Sequence, residues 1–140
     1  MNKPMKISNA EGRKLLAKQP KKQNNEESAM QISFVKWFRL TYPQYSKLLA
    51  HIPNEGKRSP RTGANLKKLG MLPGWPDIQL MIPKSTFSGL FIEMKVKGGK
   101  VSPKQEEILL ELRKVGYFAL VVWDLERAKQ VVIEYLMRND

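Results

Sequence analysis

Cysteine is absent from the 140 residues. That excludes disulfides, thiolate metal sites and cysteine nucleophiles, and it fits a reducing compartment. Histidine occurs once, as His51, too sparsely to build a zinc site and without a Ser or Cys partner for nucleophilic catalysis. A structural role for His51 is preferred to a substrate-facing one. Acidic residues are scarce, 13 against 25 Lys and Arg, which leaves a net charge of +12. Long apolar runs are missing as well: none approaches the roughly 18 residues that span a bilayer. The charged start Met1-Asn2-Lys3-Pro4-Met5-Lys6 has no apolar segment behind it and is not a secretory signal. The cation excess points to a polyanion, most commonly nucleic acid. An anionic membrane is the weaker choice, because no basic amphipathic helix stands out.

The chain is of single-domain length, and its hydrophobic fraction of 41% is ordinary for a globular fold. Residues 1–23 carry Lys3, Lys6, Arg13, Lys14, Lys18, Lys21 and Lys22 against Glu11 alone, and read as a basic, flexible arm before a domain at 24–140. Asn24-Asn25 can cap a first helix, with Glu26 and Glu27 favouring its dipole and Met30, Phe34, Val35 and Phe38 at helical spacing. A strand is expected at 47–52, ended by Pro53-Asn54-Glu55-Gly56. A basic, glycine-punctuated loop follows at 57–72, holding Lys57, Arg58, Arg61, Lys67 and Lys68. Strands are expected at 77–82 and 90–96 around a turn at 83–89. Ser102-Pro103-Lys104-Gln105 is a helix start with a capping box, and Ile108, Leu109, Leu112 and Val115 form the buried stripe up to Gly116. Residues 117–123 form an apolar strand, covered on both faces. Asp124 caps a last helix that carries Ala128, Val131, Val132, Tyr135 and Leu136. Helix, three strands, helix, strand, helix is the order of an α/β sandwich around a mixed sheet.

The informative stretch lies between residues 74 and 95. Gly74-Trp75-Pro76-Asp77 opens one expected strand, and Phe91-Ile92-Glu93-Met94-Lys95 lies in the next. Residues two apart on a strand share a face, so Glu93 and Lys95 stand together while Ile92 and Met94 turn to the core. If the two strands pair, Asp77 joins Glu93. Two carboxylates suit a hard divalent cation with its waters and a substrate phosphate, and Lys95 can orient water or offset developing charge. The plain alternative is a Glu93–Lys95 salt bridge, but an apolar strand carries such a pair at a cost unless its face opens into a site. Glu27 is a further candidate carboxylate, with Glu26 as competitor and dipole complementation as the bland reading. Gln105 either closes the capping box or lines the site. Lys57, Arg58, Arg61, Lys67 and Lys68 are candidate phosphate contacts. Trp37, Trp75 and Trp123 read as core or loop anchors, Trp75 least securely.

Taken together with His51-Ile52-Pro53-Asn54-Glu55, Leu66-Lys67-Lys68-Leu69-Gly70, Pro73-Gly74-Trp75-Pro76-Asp77, Gly99-Lys100-Val101-Ser102-Pro103-Lys104-Gln105 and Leu112-Arg113-Lys114-Val115-Gly116-Tyr117, these motifs resemble the VRR-NUC family of the PD-(D/E)XK nuclease superfamily over about residues 25–137. The resemblance implies a restriction-endonuclease-like αβββαβ(α) sandwich around a central mixed sheet. It implies Mg²⁺, with Mn²⁺ as substitute, held by Asp77, Glu93 and the main-chain carbonyl of Met94, with Lys95 catalytic. Glu27 matches the acidic residue of the family's first helix, and Gln105 its supporting glutamine. Trp75 stands where a smaller apolar residue is usual, which bears on the shape of the substrate entrance. Stand-alone members occur in bacteria and their viruses and resemble dimeric Holliday-junction resolvases. The expectation is therefore a homodimeric, structure-selective endonuclease acting on branched DNA, in the cytoplasm of a bacterial or phage-infected cell. The alternatives are a monomeric flap or nicking nuclease of the same fold and a non-catalytic nucleic-acid-binding module.

Overall fold

Phe34 and Phe38, one helical turn apart, have no exposed surface in the computed structural model. The structure describes the backbone of residues 9–53 and 59–139, with side chains from Asn25 onward. Its elements are α1 (Asn9–Thr41), a 3-10 helix (Pro43–Leu48), β1 (Leu49–His51), α2 (Pro60–Lys68), β2 (Ile78–Leu80), β3 (Leu90–Met94), α3 (Pro103–Lys114), β4 (Phe118–Val122) and α4 (Leu125–Leu136). The strands form one sheet in the order β1-β2-β3-β4. The first two pairings are antiparallel and β3–β4 is parallel, with α3 as the crossover.

Helices cover both faces. On one side, Phe34 and Phe38 of α1 meet Leu49, Ile78, Ile92 and Met94 of the sheet and Ala128, Val132 and Tyr135 of α4. On the other, Leu109 and Leu112 of α3 pack on Phe91 and Ala119, with Trp75 and Tyr117 beside them. All five residues of β3 are buried, as a central strand covered on both faces must be. The mixed sandwich expected from the sequence is the fold observed.

Several boundaries differ from the sequence reading. α1 runs back to Asn9, so Asn24 and Asn25 lie inside it and cap nothing. Lys47 and Leu48 close the 3-10 helix, which shortens the first strand to three residues. The stretch read as a basic loop contains α2, whose start is chemically explicit: Ser59 accepts from the Thr62 amide, and Pro60 occupies the first turn. Gly63 and the lack of a buried side chain obscured it. Val115, placed in the buried stripe of α3, is exposed, as is Trp123. The turn at Asn54-Glu55-Gly56 and residues 1–8 of the basic arm lie outside the described residues.

The ends of α3 and α4 follow the expected chemistry. Ser102 and Gln105 form the reciprocal capping box. Asp124 Oδ1 accepts from the Arg127 amide at 2.7 Å. α4 is pinned to the sheet by Tyr135, whose hydroxyl donates to the Ile82 carbonyl at 2.6 Å. Burial pushes the Tyr135 phenol above its ordinary pKa, which preserves the donor.

Candidate active site

β2 begins at Ile78, which pairs with Ile92. Continued by one residue, that register sets Asp77 opposite Glu93 on the face away from α1. Asp77 lies one residue before β2, and its side chain reaches β3: Oδ2 accepts from the Met94 amide at 2.8 Å. In an antiparallel ladder the N–H and C=O of one residue point to the same neighbour. The Met94 carbonyl is thus directed to the side of β3 where Asp77 stands in for a strand.

The main chain of Asp77 is held from behind. Its carbonyl accepts from the Ile52 amide at 3.2 Å and lies 2.7 Å from His51 Nδ1. A carbonyl only accepts, so Nδ1 carries the proton. His51 therefore has a structural contact at the site, which sequence reasoning could not locate because the two residues are 26 apart.

Glu93 is 1% exposed. A carboxylate so deep needs charged or hydrogen-bonding partners. Gln105 donates through Nε2 to Glu93 Oε1 at 2.9 Å, and Lys95 Nζ lies 3.7 Å from the same oxygen. The other end of the Gln105 amide accepts from the Ser102 amide at 2.8 Å. The two roles weighed for Gln105 are thus filled by one side chain, and the cap fixes which end of the amide faces Glu93.

Glu27 approaches from α1. A methyl group built on Gly99 would stand 3.3 Å from Glu27 Oε1 and 3.6 Å from Lys95 Cδ. The Glu27 carboxylate is therefore at this end of β3, whereas Glu26 is exposed. Gly74 brings the loop before Asp77 against α3: its φ is +89°, and a Cβ there would stand 2.9 Å from the Lys104 carbonyl carbon and 3.0 Å from the Gln105 amide nitrogen, which leaves no room for a side chain. Glycine at this position lets the Asp77 loop and the Gln105 helix start touch. Trp75 packs edge-on against Phe91, with ring centroids 5.6 Å apart. It also lines a recess of about 260 Å³ with Ile52, Leu72 and Gln79.

Among the described residues no three His, Asp or Glu side chains close into a metal cage. The register sets Asp77 opposite Glu93 on one face, and with the Met94 carbonyl these two carboxylates offer only hard oxygens. Such a set fits Mg²⁺, which keeps several waters and takes one or two carboxylates plus substrate phosphate. Of the basic residues singled out, Arg61, Lys67 and Lys68 are exposed on α2. Arg61 and Lys68 line one recess of about 500 Å³ with Asn65, as spacings of four and three residues on a helix require. Lys57 and Arg58 lie outside the described residues.

A mixed sheet between helices, with an acid at the start of one strand and Glu-x-Lys at the end of its neighbour, defines a nuclease-type α/β domain. The VRR-NUC domain model matches residues 9–123, and the chain belongs to that family. A solved structure described as a VRR_NUC domain protein is similar, with a TM-score of 0.70 at 25% identity, covering 81% of this chain and 90% of that one. No curated protein matches. Family membership implies a nuclease-type function and a nucleic-acid substrate. No described helix is long and apolar enough to cross a membrane.

Proposed function

We propose that the chain is a divalent-metal-dependent endonuclease of branched DNA, with Asp77, Glu93 and Lys95 as its catalytic residues. The observation that carries this reading is the buried carboxylate of Glu93, held by Gln105 and Lys95, on a strand whose Met94 amide donates to the Asp77 carboxylate. A purely structural ion pair has no need of the second carboxylate.

Asp77, Glu93 and the Met94 carbonyl would hold Mg²⁺, or Mn²⁺ in its place, with Glu27 reaching the ion or its water. When bound, the ion supplies acidified water and neutralises phosphate charge. The residues do the rest. Gln105 fixes the Glu93 carboxylate so that one oxygen is committed to the protein. Lys95 orients the attacking water and offsets charge that develops on the phosphate. Arg61, Lys67 and Lys68 of α2, with Lys57 and Arg58 before it, contact the DNA backbone. Resolving a four-way junction requires two symmetric cuts and one such domain carries one site, so the acting form is a homodimer. Its setting is the cytoplasm of a bacterial or phage-infected cell.

The test is a panel of labelled four-way junction, flap, plain duplex and single strand, each with Mg²⁺, Mn²⁺ or EDTA, alongside a solution mass. Paired symmetric cuts in the junction by a dimer are expected. A single flap cut by a monomer would replace the resolvase with a flap or nicking nuclease of the same fold. DNA binding without any metal-dependent cut would leave a non-catalytic binding module.

A further inference from the structure

One recess lies away from the carboxylates. It is an open groove of about 630 Å³ between α1 and the edge strand β1, lined by Ile32, Val35, Lys36, Arg39, Leu40 and His51 among others. Ile32 is 69% and Leu40 74% exposed, an unusual cost on the polar side of a helix whose other side already fills the core. The groove's charged side chains, Lys36 and Arg39, are both cations, and among the described residues no acid lines it.

The groove borders the residues of the site. His51, one of its walls, holds the Asp77 carbonyl. Along α1, Glu27 lies near Lys95, and the groove's first residue, Gln31, comes one turn later. From Glu27 to Arg39 the helix advances roughly 18 Å at 1.5 Å per residue. That is about five nucleotide steps at 3.4 Å along one strand.

We propose that this groove binds an unpaired nucleic-acid strand leaving the active site, with Lys36 and Arg39 on its phosphates and Ile32, Val35 and Leu40 against its bases. The proposal rests on the nuclease reading and adds the feature that makes it selective for branched substrates. A duplex offers phosphates and sugars to a groove wall and keeps its base faces stacked inside. Only an unpaired strand brings flat apolar base faces together with phosphates. An aliphatic floor edged by two cations matches that combination.

The test measures binding in EDTA, so that it does not depend on cleavage, using fluorescein-labelled oligothymidine and a blunt duplex over a range of salt. Lys36→Ala with Arg39→Ala should weaken oligothymidine binding about tenfold and reduce the salt slope by about 1.4, two single-strand phosphate contacts. Ile32→Ser with Leu40→Ser should weaken it about fivefold with the slope unchanged, because base faces carry no charge. Both pairs are exposed, and unchanged melting temperatures confirm that the fold is intact. Oligothymidine affinity within twofold of wild type in both variants overturns the proposal. So does a change from dimer to monomer with affinity retained, since the groove would then be a contact between two copies. If wild-type protein never cleaves but both variants lose oligothymidine binding, the nuclease reading fails and the groove stands.

Discussion

Gln105 shows how much chemistry one amide can join. Its oxygen accepts from the Ser102 amide, and its nitrogen donates to Glu93. The two functions separate by substitution. Gln105→Glu keeps an acceptor for the cap, since glutamate serves the capping box equally well, but sets a second carboxylate against Glu93. Activity should fall roughly 10- to 100-fold, the range for partners of metal-binding residues, beyond what the loss of stability from two opposed buried carboxylates accounts for. Equal losses of stability and activity would make the contact merely structural. Asp77→Asn and Glu93→Gln should each remove cleavage with little loss of fold, and near wild-type rates in either would refute the site. The Asp77, Glu93 and Lys95 cluster was legible because strand alternation and a single assumed pairing were enough to assemble it. His51 was not, because its link to the Asp77 carbonyl depends on where β1 stops, a tertiary fact.

At the scale of elements, the approach of the Asp77 loop to the start of α3 depends on Gly74. Gly74→Ala meets both a positive φ and backbone at 2.9 Å, so it should destabilise by roughly 1–3 kcal/mol. Activity should fall further than stability accounts for, because Asp77 and Gln105 flank the contact. Denaturant melts paired with cleavage rates check this, and a variant as stable as wild type would contradict it. Tyr135→Phe removes the hydrogen bond to Ile82 and should cost about 1 kcal/mol. In wild type, the raised phenol pKa means that this stability is complete below the unfolded value and is lost as pH climbs through the higher folded one. Tyr135→Phe should flatten that alkaline loss. Strong local signals fixed α3 and α4: a serine or aspartate cap, proline in the first turn of α3, and an apolar stripe. α2 carried the same Ser-Pro start, yet it buries no side chain, so the periodicity that reveals a helix was missing. The extension of α1 to Asn9 was equally hidden, because its first turns carry basic residues without a regular apolar stripe.

For the whole molecule, the net charge of +12 sets long-range attraction to nucleic acid, and its signature is salt dependence. Arg61→Ala with Lys68→Ala should lower the duplex salt slope by about 1.8 if each side chain neutralises one phosphate; an unchanged slope would remove α2 from the interface. Charge gives affinity but no chemistry, and the polyanion partner was readable from composition for that reason. Which nucleic-acid structure fits was not, because it depends on how the α2 surface and the α1–β1 groove lie around the site. The central claim is that the buried Glu93–Lys95 pair performs chemistry. The most direct measurement compares Lys95→Ala with wild type for cleavage rate, DNA affinity and melting temperature in the same Mg²⁺ buffer. Cleavage should fall by about 10³-fold with affinity intact, and folding should persist because Gln105 still holds Glu93. Cleavage within a few-fold of wild type would show the pair to be an ordinary buried salt bridge.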